Sequence, residues 1–161
     1  MANKKDSAKQ AAASDKQGKS KKGKHKPDDL PVQSIQLTLA HVGFGGNAGK
    51  GHYFYSFSPD VVTIQSKGPV TLEYVFEAEV SERFRIVNVL NSDAFKQIGE
   101  PKIYDDGRRV RMRNENSVST LIFFTVLVED SFNAYNDVQL ISCDPQVGND
   151  PQATPPGKKR G

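Results

Sequence analysis

The chain has 161 residues and a mass of 17.7 kDa, enough for one domain of ordinary size. Its formal charge of +3 is unevenly spread. Residues 1–30 hold nine lysines against four acids, residues 158–160 add three cations, and the body between carries a net −5. That division excludes a uniformly basic nucleic-acid-binding domain. The absence of an apolar run near 18 residues excludes a transmembrane helix, and a single cysteine excludes an internal disulfide framework or a cysteine-only zinc site.

Residues 1–30 consist mainly of Lys, Ser, Ala, Gln, Gly and Asp. Ordering each backbone residue costs about 1–2 kcal/mol, and no apolar surface here offsets it, so a disordered basic arm is expected. Ala11-Ala12-Ala13 is too short for the apolar core of a secretory signal. The absence of arginine from the arm argues against a mitochondrial presequence, and a cytoplasmic location is expected.

From Pro31 onward the pattern turns to period two. Ile35, Leu37 and Leu39 alternate with Gln36 and Thr38. A glycine-rich stretch, Gly43–Gly51, leads into Tyr53, Tyr55 and Phe57 on one face of a second strand. After Ser58-Pro59-Asp60 comes a short apolar segment, Val61–Ile64. Val70, Leu72, Tyr74 and Phe76 share one face of the clearest strand, with Thr71 and Glu73 on the other. Phe84, Ile86, Val87 and Val89 make a further strand, and Phe95–Ile98 reads as a turn or a helix fragment. Asp105-Asp106-Gly107 is a hairpin signal. Arg109, Arg111 and Arg113 then alternate with Val110 and Met112. Leu121–Val128 is an apolar run whose β-branched and aromatic content suits a central strand covered on both faces. Val138, Leu140 and Ile141 close the body, and 146–161 reads as a Pro/Gly-rich basic tail. The expected architecture is all-β: a single antiparallel β-sandwich over 31–145, immunoglobulin-like, with about seven to nine strands.

The last strand ends in Cys143-Asp144-Pro145, followed by Asn149-Asp150-Pro151. This spacing resembles the DP-EP family of small bacterial all-β proteins, named for an Asp-Pro followed by a Glu-Pro. Here Asp150-Pro151 stands in for the second element. The resemblance covers roughly 32–151 and implies a compact all-β domain; it implies no activity. Physically, Pro145 and Pro151 end strands and blunt a sheet edge, while Asp144 can build an Asx turn. The rival reading has Asp144, Asn149 and Asp150 offer oxygen ligands to a cation, although no full coordination loop is present.

Four patterns invite chemistry. The Gly43–Gly51 stretch fails as a Walker loop, because Phe44 and Gly51 stand where Gly and Ser/Thr are needed, and fails as a dinucleotide loop at Ala48. It reads as a flexible connection whose Lys50 can meet an anion. His41 and His52 flank it symmetrically and would become cross-strand neighbours able to share a metal, with no third ligand nearby. Arg109, Arg111 and Arg113, with Arg108, form a ladder able to grip phosphates or carboxylates. The bland alternative pairs it with Glu77, Glu79 or Glu82 on a solvated face. Tyr53, Phe54, Tyr55 and Phe57 could stack bases, but the surrounding body is acidic. No catalytic constellation emerges, no cofactor is implied, and Cys143 is expected to be buried and inert.

The sequence therefore points to a non-catalytic β module that binds or assembles with other proteins, itself included. The alternative is a polyanion-associated protein, with nucleic acid bound through the lysines of 1–30.

Overall fold

The computed structural model of the chain describes residues 30–132 and 140–151. The basic arm up to residue 29, Val138, and the tail from 152 onward lie outside the described residues.

Ten strands follow in chain order: β1 (Val32–His41), β2 (Tyr53–Ser58), β3 (Val61–Ile64), β4 (Val70–Phe76), β5 (Phe84–Asn91), β6 (Lys102–Tyr104), β7 (Arg109–Asn114), β8 (Thr120–Asp130), β9 (Leu140–Cys143) and β10 (Gln146–Asn149). They form two sheets. The first has the order β2-β1-β4-β7-β6, and the second β3-β10-β8-β5 with β9 also paired to β8. No α-helix occurs among the described residues, and no helix there is long and apolar enough to cross a membrane.

The alternation read from the sequence sets which side chains go inward. Ile35, Leu37 and Leu39 of β1, Val70, Leu72, Tyr74 and Phe76 of β4, and Val110 and Met112 of β7 are buried. They meet Ile122, Phe124, Val126 and Val128 of β8, Ile141 and Cys143 of β9, and Val147 of β10 in one core. Rings from both sheets interlock there: Phe57 lies edge-on to Tyr74, and Tyr74 against Phe124.

Four expectations are corrected. The sheets are mixed, not antiparallel: β1 runs parallel to β4, and β10 parallel to β3. Period two cannot reveal strand direction, because inward and outward phases look the same in either sense. The strand number is ten, the extra pieces being the three-residue β6 and the divided β9 and β10. The body does not stop at Pro145: β10, placed in the expected tail, sits between β3 and β8 with Val147 buried. Finally, β8 is covered on one face only, since Leu121 and Phe123 point outward.

Local chemistry accounts for the irregular pieces. In β5 the register to β8 shifts between Ile86 and Asn88, a bulge that absorbs Val87 and lets Val89 return to the core. Residues 93–98 form a turn around one carboxylate: Asp93 accepts from the amides of Phe95, Gln97 and Ile98 at 2.9, 2.5 and 2.9 Å. Asp105-Asp106-Gly107 does join β6 to β7, as the hairpin signal indicated.

Candidate functional site

The glycine-rich segment after β1 does not hang as a free loop. It folds back along the outer edge of β2. Ala48 and Tyr53 exchange backbone bonds of 3.0 and 3.2 Å, and Gly46 N–H donates to Gly51 O at 2.9 Å. Asn47 extends the pairing with its side chain: Nδ2 donates to Tyr55 O, and Tyr55 N–H donates to Oδ1, both at 2.8 Å. A side-chain amide thus imitates one more residue of strand. Gly46 is required by closeness, since a Cβ there would overlap the Tyr53 carbonyl. Lys50, between two glycines in a 3-10 turn, adopts φ 58°, a left-handed conformation that usually favours glycine.

That turn forms one wall of an open cleft of about 730 Å³, and β9 with the residue after it forms the other. Lys50, His52 and Asn47 line the first wall; Leu140, Ser142 and Asp144 line the second. His52 is fixed by its Nδ1–H, which donates to Gly43 O at 2.6 Å and leaves Nε2 as the outward nitrogen. Asp144 is held from two sides: its Oδ1 accepts the Thr125 hydroxyl at 2.8 Å, and its amide donates to Tyr55 Oη at 3.3 Å. Three residues singled out separately in the sequence, Lys50, His52 and Asp144, therefore share one cavity.

His41 does not face His52 across the ladder, because the register pairs it with Tyr53. The glycine turn consumes one more residue on the β2 side than a symmetric loop would. The imidazoles instead lie parallel with centroids 6.4 Å apart. No group of three or more His, Cys, Asp or Glu side chains able to hold a metal occurs among the described residues.

The arginine ladder is matched by carboxylates other than those expected. Glu73 of β4 takes Arg111 at 2.7 Å and lies 3.8 Å from Arg109, which also meets Asp105 at 3.1 Å. Arg113 chelates Glu115 at 2.5 and 3.1 Å. Glu77 is engaged elsewhere, by the Thr38 hydroxyl at 2.5 Å. Arg108 leaves the ladder altogether: it stacks on Phe76 and donates to the carbonyls of Val80, Ser81 and Phe84 at 2.8–3.1 Å, clamping the link between β4 and β5. Three ladder cations facing three carboxylates leave little net charge to grip an outside anion.

The acid–proline motif is structural in a way the sequence reading did not foresee. Pro145 interrupts the strand without ending its pairing; its carbonyl accepts Phe124 N–H at 3.0 Å, and β10 resumes the ladder with β8. Asn149 is not turned toward a cation. It is buried and locked to Asn114 of the opposite sheet by reciprocal amide bonds of 2.6 and 2.9 Å. Asp150 N–H donates to Ile64 O at 2.9 Å, and Pro151 follows directly as the last described residue of the segment. Asn116 completes the cluster, its amide donating to Asn114 Oδ1 at 3.0 Å and its Nδ2 to Ser66 O at 2.5 Å.

A second polar cluster closes the other end of the core. Asp130, buried at the end of β8, accepts from Arg83 through Nε at 2.6 Å and through a second, shorter contact. It also accepts Tyr53 Oη at 3.0 Å and Phe132 N–H at 3.0 Å. Burial works to raise the Asp130 pKa, but the bonds from Arg83, Phe132 and Tyr53 prevail and hold it below the ordinary carboxylate range. Burial pushes the Cys143 thiol up to about 12, with Asp144 adding to the shift.

The feature missed entirely lies outside the second sheet. Val61 of β3, Leu90 of β5, Leu121 and Phe123 of β8, and Leu140 of β9 are 57, 52, 51, 52 and 56% exposed. Register places Val61 and Phe123 in one row across β10, and Thr63, Gly148 and Leu121 in the next. The signal was present in the unbroken apolar run of β8, which reads equally as two covered faces or as one covered face and one bare one.

No known family profile matches the chain, and no curated protein is similar to it in sequence. Among solved structures it is similar to the crystal structure of an inclusion body protein, PixA, from Burkholderia cenocepacia, with 10% identity and a TM-score of 0.36 over 74% of this chain and 97% of that one.

Proposed function

We propose that this protein is a non-catalytic, immunoglobulin-like β-sandwich module that assembles with copies of itself through the outer face of its second sheet. The cytoplasm is its expected setting. Kinship with the DP-EP family, carried by Asp144-Pro145 and Asp150-Pro151, belongs to the same proposal.

The supporting observation is the outward band of Val61, Leu90, Leu121, Phe123 and Leu140. Half-exposed side chains of this size offer roughly 100 Å² each, so the band amounts to about 500 Å² per copy, at the upper range of what a monomer ordinarily exposes. Two copies placed face to face remove about 1,000 Å², the lower bound for a specific interface. A second copy also suits the symmetry, since a two-fold operation brings the same apolar band of each copy together. Gly148, with no side chain, leaves a hollow beside Leu121 that a Phe123 ring from the other copy can fill.

Sedimentation velocity over a concentration series tests the reading. The wild-type chain is expected to associate reversibly, and Leu121→Lys with Phe123→Glu to remain monomeric with unchanged circular dichroism. A wild-type chain that stays monomeric at the highest attainable concentration overturns it, as does a double variant that associates equally well.

A further inference from the structure

The cleft between the glycine turn and β9 holds a cation and a carboxylate that do not pair with each other. Lys50 and Asp144 both line it, and neither forms an ion pair among the described residues. Opposite charges on facing walls ordinarily close on one another unless the frame keeps them apart. Here both walls are fixed. The Lys50 turn is tied by Gly51 N–H to Ala48 O at 3.0 Å and His52 N–H to Gly49 O at 3.2 Å, and Asp144 by Thr125 and Tyr55. The volume of about 730 Å³ lies within the range of small-molecule sites.

From this juxtaposition we infer that the cleft is a binding site for a small zwitterion: a molecule with one carboxylate and one ammonium group on a short carbon chain, as in an amino acid. Lys50 receives the carboxylate and Asp144 the ammonium. His52 Nε2 accepts a hydrogen bond from the ammonium side when neutral. Ser142 supplies a hydroxyl, and Leu140 packs on the carbon chain.

The proposal accounts for Lys50 itself. A non-glycine residue held at φ 58° between two glycines costs about 1 kcal/mol that glycine would avoid, and the ammonium group is what that cost retains. The site shares Leu140 with the outer-sheet band, but its charged groups come from the glycine turn and the residue after β9, which lie outside that band, so the titration is read at a concentration where the chain is monomeric.

Binding is tested on the full chain by ¹H–¹⁵N correlation spectra during titration with glycine, 4-aminobutanoate and 6-aminohexanoate, with acetate and methylammonium as single-charge controls. At least one zwitterion is expected to shift the amides of 47–52 and 140–144 saturably, with each control at least tenfold weaker. Lys50→Met and Asp144→Asn should each weaken that binding at least tenfold, while the remaining spectrum shows the fold intact. Acetate binding as tightly as any zwitterion, with Asp144→Asn unaffected, would replace the proposal with a plain anion site. No saturable shifts with any probe would remove it.

Discussion

Replacing Asn149 with alanine separates a structural asparagine from a cation ligand. In the fold its amide is one half of a reciprocal pair with Asn114, at 2.6 and 2.9 Å, and both residues are buried. Truncation removes two amide bonds, each with a net contribution of about 1 kcal/mol. It also strands a buried donor, because Asn114 Oδ1 keeps the Asn116 amide at 3.0 Å while Nδ2 keeps nothing. An unmet buried donor costs about 1–3 kcal/mol. The overlap between lost bond and stranded donor puts the total near 3 kcal/mol. Urea unfolding reads this as a midpoint lower by about 1–2 M at an unchanged slope. A cycle with Asn114→Leu, Asn149→Leu and the double variant should show coupling of about 1–2 kcal/mol, since neither partner is left unpaired in the double variant. Calcium and chelator should leave every midpoint in place. A loss below about 1 kcal/mol, or a wild-type midpoint that rises with calcium, would refute the inter-sheet clasp.

Tyr74 makes the opposite prediction. Its hydroxyl is buried with no hydrogen-bond partner among the described residues, and burial raises its pKa; Tyr74→Phe should therefore raise thermal stability, by about 1 kcal/mol. Asp130 predicts the acid limb. Its folded pKa lies below the unfolded value of about 3.9, so its contribution is complete above that pH and disappears as pH falls through the folded pKa. Asp130→Asn should cost about 2–3 kcal/mol at neutral pH, less than a fully buried pair because Arg83 is partly open to solvent. The variant should also flatten the loss of stability below about pH 4, measured by urea unfolding across pH. Deleting residues 1–30 should leave self-association unchanged and, if the lysines act on polyanions, abolish salt-sensitive heparin retention. Full-length protein that passes heparin unretained at low salt would dismiss the polyanion reading.

The sequence made the inward phase of each long strand legible, because one buried face leaves a period-two trace. Ile35-Leu37-Leu39 and Val70-Leu72-Tyr74-Phe76 are its clearest cases. Direction left no trace, so the two parallel pairs were missed. Pro145 was misread because a missing N–H ends pairing only where a donor is needed, and here the ladder uses its carbonyl. The polar clusters were legible in principle. Asn114 follows Val110 and Met112 on the buried phase of β7, and Asp130 follows Ile122, Phe124, Val126 and Val128 on that of β8. A polar residue on a core phase must find a partner across the fold, though the sequence cannot say which. Lys50, His52 and Asp144 were each noticed alone, and only folding of the glycine turn along β2 brings them to one cleft.

Self-association through the outer face of the second sheet is tested most directly by distance. Cys143 is buried with its thiol pushed up to about 12, so a spin label placed at Asn88→Cys, exposed on the same face but outside the apolar band, reports on that face alone. Sheets packed face to face lie about 10 Å apart, and pulsed electron–electron resonance should then give an intermolecular distance within about 25 Å, with a modulation depth that grows with concentration. Intermolecular distances beyond that range, or the absence of any, would contradict the account.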